Sequence, residues 1–299
     1  MTTIGDLGCY DQALWGVLHK GFLLNSSLFS QSFNWLGIHF NPVLYLFVPF
    51  YYFLPTVNWF IFAQTAALSI AALPIFSLAR QVTSSEKQAL LWSVIYLFNP
   101  FVLSADAWDF HPVNFAVPFM ALSFLAIEQQ SLGLFTFANL TLLLCQEQFG
   151  LAVAGFGLLY GLKNQEKQVS CIFIVMGIIS ILFILAVVMP SLSPTKQHVM
   201  LGGHSGENIH LNRYNWLGYS LKAVINTLIF SPLHVFKTVV FEFQGMRYLI
   251  LLSFPFLLTE FAAPSFMLPM IADLLANMLS ANPMQRNISN LAKVFRCKI

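Results

Sequence analysis

Long apolar runs separated by short polar links recur through this chain, at 57–79, 88–103, 113–127, 132–145, 149–162, 169–190, 246–260 and 264–280. A helix rises ~1.5 Å per residue and the bilayer hydrocarbon is ~30 Å thick, so about 20 apolar residues suffice for one crossing. The pattern predicts an all-α, polytopic transmembrane helix bundle of about eight spans. The runs are continuously apolar rather than alternating, which excludes a membrane β-barrel. Only 9% of the residues are charged against 58% hydrophobic, far from the ~25% charge of a soluble domain. The few ionised side chains are therefore the places to look for function, because charge beside lipid is costly.

The balance of charge narrows the partners. A formal net charge of +2 says nothing about nucleic acid, but no basic cluster interleaved with aromatics appears, so the lipid bilayer and no nucleic acid is the expected partner. Cys9, Cys145, Cys171 and Cys297 are scattered singly, so no disulfide framework or metal knuckle is implied. Met1-Thr2-Thr3-Ile4 runs directly into Gly5-Asp6 without the basic start and apolar stretch of a secretory signal, and no inserted first helix is expected there.

Residues 1–41 read as a polar first loop with short interfacial helices, since Ala13, Leu14, Val17, Leu18 and Phe22 recur at about helical period. Residues 43–54 are aromatic but too short to cross, and Pro49 and Pro55 punctuate them. Arg80, Lys87, Lys163 and Lys167 fall on one side if each link reverses direction, which makes that side cytoplasmic. Asp6, Asp11, His39, Asp106, Asp109, His111 and Glu147 then share the other, non-cytoplasmic side. Beyond residue 190, the polar stretch 191–215 joins them, segments 216–230 and 233–243 read as amphipathic and interfacial, and the tail 283–299 has no further span.

Each polar residue has a plain structural role as well as a chemical one. Asp6 and Asp11 would diverge by about 140° on one helix but could both aim inward at a bend. Asp6 could also simply cap a helix starting near Cys9. Asp109 or His111 could cap the following span with Pro112 in its first turn. Glu147 lies between two apolar runs, where an unmet carboxylate costs about 2.5 to 3.5 kcal/mol. His39 beside Phe40 could be an interfacial residue with a polar tip. His198, His204 and His210 lack tight ligand spacing and read as a solvated loop. Asn25-Ser26-Ser27 and Asn287-Ile288-Ser289 match the glycosylation sequon, a triplet common by chance.

The segments Asp6-Leu7-Gly8-Cys9-Tyr10-Asp11-Gln12-Ala13-Leu14-Trp15, His39-Phe40-Asn41-Pro42, Asp109-Phe110-His111-Pro112 and Gln146-Glu147, in that order, resemble a family of uncharacterised prokaryotic multi-pass membrane proteins. That family is similar to the GT-C superfamily of integral-membrane glycosyltransferases, and the likeness covers about residues 5–282. The resemblance implies a GT-C-like membrane domain over 1–282, shortened at both ends, in the prokaryotic plasma (inner) membrane. It also implies a polyprenyl-phosphate sugar donor, an unknown glycan, lipid or protein acceptor, and inverting transfer at the non-cytoplasmic face.

On that resemblance Asp6, with Asp11 second, is the catalytic base. His39, His111 and Arg213 surround the departing phosphate, while Asp109 and Glu147 hold sugar hydroxyls or a divalent cation such as Mg or Mn. Members usually carry Lys-Glu-Asp where this chain has Gln146-Glu147-Gln148. An inactive remnant and a secondary transporter are the alternatives; a transporter typically shows repeated halves and broken helices, which the sequence does not display.

Overall fold

The computed structural model describes residues 4–26, 32–194, 196, 212–219, 221–254 and 263–286. The expectations for His198, His204 and His210, for the sequon at Asn287, for part of the run 246–260 and for most of the tail lie outside the described residues. The chain forms two compact units, Met1–His198 and Val199–Ile299.

The first unit opens with α1, Ile4–Lys20, a single helix of 17 residues where short interfacial pieces were expected. A two-residue antiparallel pair follows, β1 Leu24–Asn25 against β2 Phe33–Asn34, with Leu24 opposite Asn34. Asn25 is fully buried in this pair, so its sequon is not presented. A 3-10 turn at Trp35–Gly37 leads through the His39 loop to a second 3-10 turn, Pro42–Phe47, and to α2, Val48–Phe53.

Then come α3 Asn58–Ile70, α4 Ala72–Thr83, α5 Glu86–Leu97, α6 Pro100–Ala107, α7 Ala116–Glu128, α8 Leu132–Cys145, α9 Phe149–Asn164, α10 Lys167–Phe183 and α11 Met189–Leu192. Their boundaries follow local chemistry. Ser85, Asn99 and Ser131 are N-caps whose side chains accept from backbone N–H groups of the next turn. Pro100 and Pro112 head their helical segments, where the missing N–H costs nothing.

These breaks correct the expected number of spans. Among the described residues, two helices are long and apolar enough to cross a membrane, Asn58–Thr83 and Lys167–Leu192, each of 26 residues. Counting each bent pair as one span raises this to four: Glu86–Leu97 with Pro100–Ala107, bent by 43°, and Lys222–Phe230 with Pro232–Glu242, bent by 88°. Pro112–Glu128 and Leu132–Cys145 are apolar but shorter; 17 residues rise only about 25 Å, less than the ~30 Å of hydrocarbon. Eight spans are not supported among the described residues, because Asn99-Pro100 breaks the run 88–103 and the runs 113–127, 132–145 and 149–162 hold only 15, 14 and 14 residues.

The helices reverse direction in turn. The Gln81 amide donates to Glu128 O at 3.2 Å, which places the α7–α8 link beside the end of α4. From there α8 runs to Cys145, whose carbonyl accepts from Asn41 at 2.6 Å. Helix α9 runs away and α10 returns, until Leu192 meets the His39 region. A Cβ at Gly37 would lie 3.2 Å from Leu192 C and O, so a larger residue there would push the end of α11 back by a few tenths of an ångström. The α9–α10 pair is similarly close at Gly150 and Gly177, in the small-residue style of membrane helices. Outward from α10 the side chains of Ile172, Ile179, Leu182 and Phe183 are exposed, as lipid-facing residues are.

The second unit contains α12 Leu221–Phe230, α13 Pro232–Lys237, α14 Gly245–Ser253 and α15 Ile271–Leu279. The end of α15 leaves carbonyls that its own helix cannot satisfy. Tyr214 O–H donates to Ala276 O at 3.1 Å and Trp216 Nε1 to Leu279 O at 2.8 Å. Arg286 donates to Asn277 O at 3.0 Å and also to Ser280 O.

Candidate functional site

An aromatic cluster assembles the polar segments of the first unit. Tyr10 of α1 meets Trp35 and Phe110 edge-on, both with ring centroids 5.0 Å away. Phe110 also packs on Phe60 of α3 at 4.7 Å and on Phe47 at 5.9 Å, and Phe47 on Phe60 at 5.1 Å. Pairs of this geometry add about 0.5 to 1.5 kcal/mol each beyond their buried area. Four stretches far apart in the chain are thereby stacked on one core: the α1 helix with Asp6 and Asp11, the His39 loop, α3, and the Asp109–His111 loop.

His39 and Glu147 meet directly. His39 Nδ1 lies 3.1 Å from Glu147 Oε1, and the Phe40 N–H donates to Glu147 Oε2 at 2.8 Å. A carboxylate only accepts, so the ring proton sits on Nδ1 and a neutral imidazole carries its lone pair on Nε2. The two side chains are 31% and 14% exposed, a half-open pair at the rim of the packed core. Burial pushes the Glu147 pKa up, but the hydrogen bond and charge of His39, with the backbone N–H groups of Glu147 and Phe40, hold it below its ordinary 4.5. Asn41, buried, completes the junction by donating to Cys145 O and accepting from Trp35 Nε1 at 3.3 Å.

The Asp109-Phe110-His111 loop is built in the same manner. Asp109 is buried, and His111 Nδ1 donates to the Asp109 carbonyl at 2.7 Å, which again leaves the neutral ring's lone pair on Nε2. The side-chain carbonyl of Gln64 on α3 accepts from the His111 N–H at 2.8 Å and from Asn114 Nδ2 at 2.9 Å. Next to it Thr65 donates to Asp106 at 2.7 Å.

Asp11 lies on α1, where Oδ1 accepts from the Tyr51 hydroxyl of α2 at 2.7 Å. Tyr51 is held well above the usual tyrosine range, chiefly by burial and then by this bond and the Asp11 charge. Asp6 sits in the first turn of the same helix, so Asp6 and Asp11 are on one continuous helix rather than at a bend. Arg213 belongs to the second unit, in the 3-10 turn Asn212–Tyr214, where its carbonyl accepts from Ala281 N at 2.7 Å.

The structure thus joins His39 with Glu147 and sets the Asp109–His111 loop on the same aromatic core. Among the described residues no three His, Cys, Asp or Glu side chains gather as a metal site. Gln64 and Tyr51 are polar residues that sequence reasoning passed over, and Asn41 entered it only as part of the His39-Phe40-Asn41-Pro42 motif. Gln64 carried a usable signal, a glutamine inside the apolar run 57–79, whereas Tyr51 had none beyond its place in an aromatic segment.

Bilayer-length apolar helices with exposed apolar faces, and polar loops tied together at their ends, define an integral membrane protein of the helical class. The chain belongs to the family described as predicted membrane protein (DUF2079), whose profile matches residues 1–290. Comparison with curated proteins and with solved structures finds no match.

Proposed function

We propose that this membrane protein is a glycosyltransferase that moves a sugar from a polyprenyl-phosphate donor to an acceptor hydroxyl with inversion. The observation that supports the reading best is the tie between His39 and Glu147, residues of separate polar links, on the core that also carries the Asp11 helix and the Asp109–His111 loop. In the reaction the acceptor oxygen bonds to the anomeric carbon, the bond from that carbon to the phosphate oxygen breaks, and polyprenyl phosphate departs. A carboxylate takes the acceptor proton, the role assigned to Asp6 or to Asp11. His39 and His111 donate to the departing phosphate oxygens when protonated, and Asp109 binds sugar hydroxyls. Glu147 acts through His39, since both of its oxygens hold the His39–Phe40 backbone and ring. A divalent cation such as Mg or Mn at these carboxylates is part of the same reading. The reading assigns the protein to the prokaryotic plasma membrane, with the site on the non-cytoplasmic face and the lipid tail beside the exposed face of α10.

The test is incubation of membranes containing the full chain with radiolabelled polyprenyl-phosphate sugars. A labelled product that disappears in Asp6→Asn or Asp11→Asn supports the reading and identifies the base. No product from the wild type overturns it.

A secondary transporter is the second reading, favoured by the helix pairs broken at Asn99-Pro100 and at Ser231-Pro232, one in each unit. Solute uptake into proteoliposomes that Glu147→Gln abolishes would select it.

A further inference from the structure

Gln64 is nearly inaccessible, at 2% exposure, in the second turn of the membrane-length helix Asn58–Thr83. Its terminal amide makes three contacts, all to one neighbouring segment. Nε2 donates to Ala105 O at 3.2 Å, and Oε1 accepts from the His111 N–H at 2.8 Å and from Asn114 Nδ2 at 2.9 Å. Ala105 lies in the last turn of α6, whose carbonyls lack intrahelical donors, and His111 is the N-cap of the 3-10 turn Pro112–Phe115. One side chain therefore spans the gap between the end of one helix and the start of the next. The residues of that gap are Trp108, Asp109 and Phe110, with His111 at its edge.

We infer that Gln64 is a positioning residue that sets the Asp109–His111 loop against α3 and so fixes where the His111 ring stands. Only an uncharged amide fits: a carboxylate at this position could accept twice but would face the Ala105 carbonyl with another acceptor, and an apolar side chain would leave three backbone and side-chain groups without their partner. The adjoining Thr65–Asp106 bond ties α6 to α3 but touches neither Asp109 nor His111. Gln64 reaches across to the backbone of the histidine itself. The consequence for catalysis rests on the glycosyl-transfer reading, whereas the positioning of the loop does not.

The experiment compares the rate at which a water-soluble maleimide labels His111→Cys in membranes, with and without Gln64→Met. Ser123→Cys, buried on α7 of the same unit, is the control. Freed of its anchor the loop opens more often, and labelling at 111 should rise about tenfold while position 123 is unchanged. No rise at 111, or an equal rise at both positions, overturns the inference. Gln64→Asn, which keeps the amide but shortens its reach, gives the same comparison if the methionine variant fails to insert. Where the wild type transfers sugar, Gln64→Met should lower kcat with KM little altered, and an undiminished kcat in a variant with an open loop overturns the positioning role. Absence of transfer by the wild type defeats the glycosyl-transfer reading, and the labelling result still decides the role of Gln64.

Discussion

The two histidine loops of the first unit share a plan and differ in what holds them. His39-Phe40-Asn41-Pro42 and Asp109-Phe110-His111-Pro112 each place an aromatic residue beside a histidine, and each ends in a proline heading a 3-10 turn. In both, the histidine donates through Nδ1. The first is tied by a carboxylate, Glu147, and by the Asn41 amide on the end of α8. The second is tied by the neutral amide of Gln64 on the end of α6. The carboxylate of the first tie gains a proton in acid and the amide of the second does not, so acid acts on the tie of one loop and not on that of the other.

Removing each tie should separate them, and the largest effect is expected at the ionic one. Glu147→Ala takes both acceptors from His39 and Phe40, and should lower stability by about 3 kcal/mol, read as the unfolding midpoint in detergent. An unchanged midpoint would mean that the carboxylate tie contributes nothing. Gln64→Met should cost about 2 kcal/mol on the same measurement, because its three former partners remain partly buried. Equal losses in the two variants would erase the distinction between ionic and neutral ties.

Acid sharpens the comparison further. Glu147 titrates below its ordinary 4.5 in the folded protein, so its contribution is fully present above about that pH and is lost as pH falls through the depressed folded value. Maleimide labelling of a cysteine at Phe40 should therefore accelerate on acidification, after correction for the intrinsic thiol rate, while the corrected rate at His111→Cys stays level. Parallel acceleration at both would break the comparison. The smallest effect is expected at Asp11: Tyr51→Phe removes one donor from a partly exposed carboxylate and should cost about 1 kcal/mol or less. A larger loss would make the α1–α2 contact a third principal tie.

Much of this was legible in advance, and the failures have definite causes. The all-α class and the membrane environment follow from apolar runs that no aqueous fold could cover. The number of spans does not, because Asn99-Pro100 is a helix start embedded in the apolar run 88–103 and the runs 113–127 and 132–145 form helices too short to cross, and a hydropathy pattern weighs side-chain burial rather than backbone hydrogen bonding. The polar first loop differs in the same way: α1 is one helix that carries both Asp6 and Asp11.

His39, Asp109, His111 and Glu147 could be picked out from the sequence because charge among apolar neighbours is conspicuous at any position in a chain. Which of them touch could not, since His39 and Glu147 stand 108 residues apart and no local preference links them. Their meeting is decided by packing. Tyr10, Phe47, Phe60 and Phe110 must close on one another to leave water or lipid, and the polar groups beside them are carried into bonding distance. Composition and spacing determined what this protein is made to live in and which side chains it keeps ionised there; the aromatic core, a property of the folded chain alone, determined their partners.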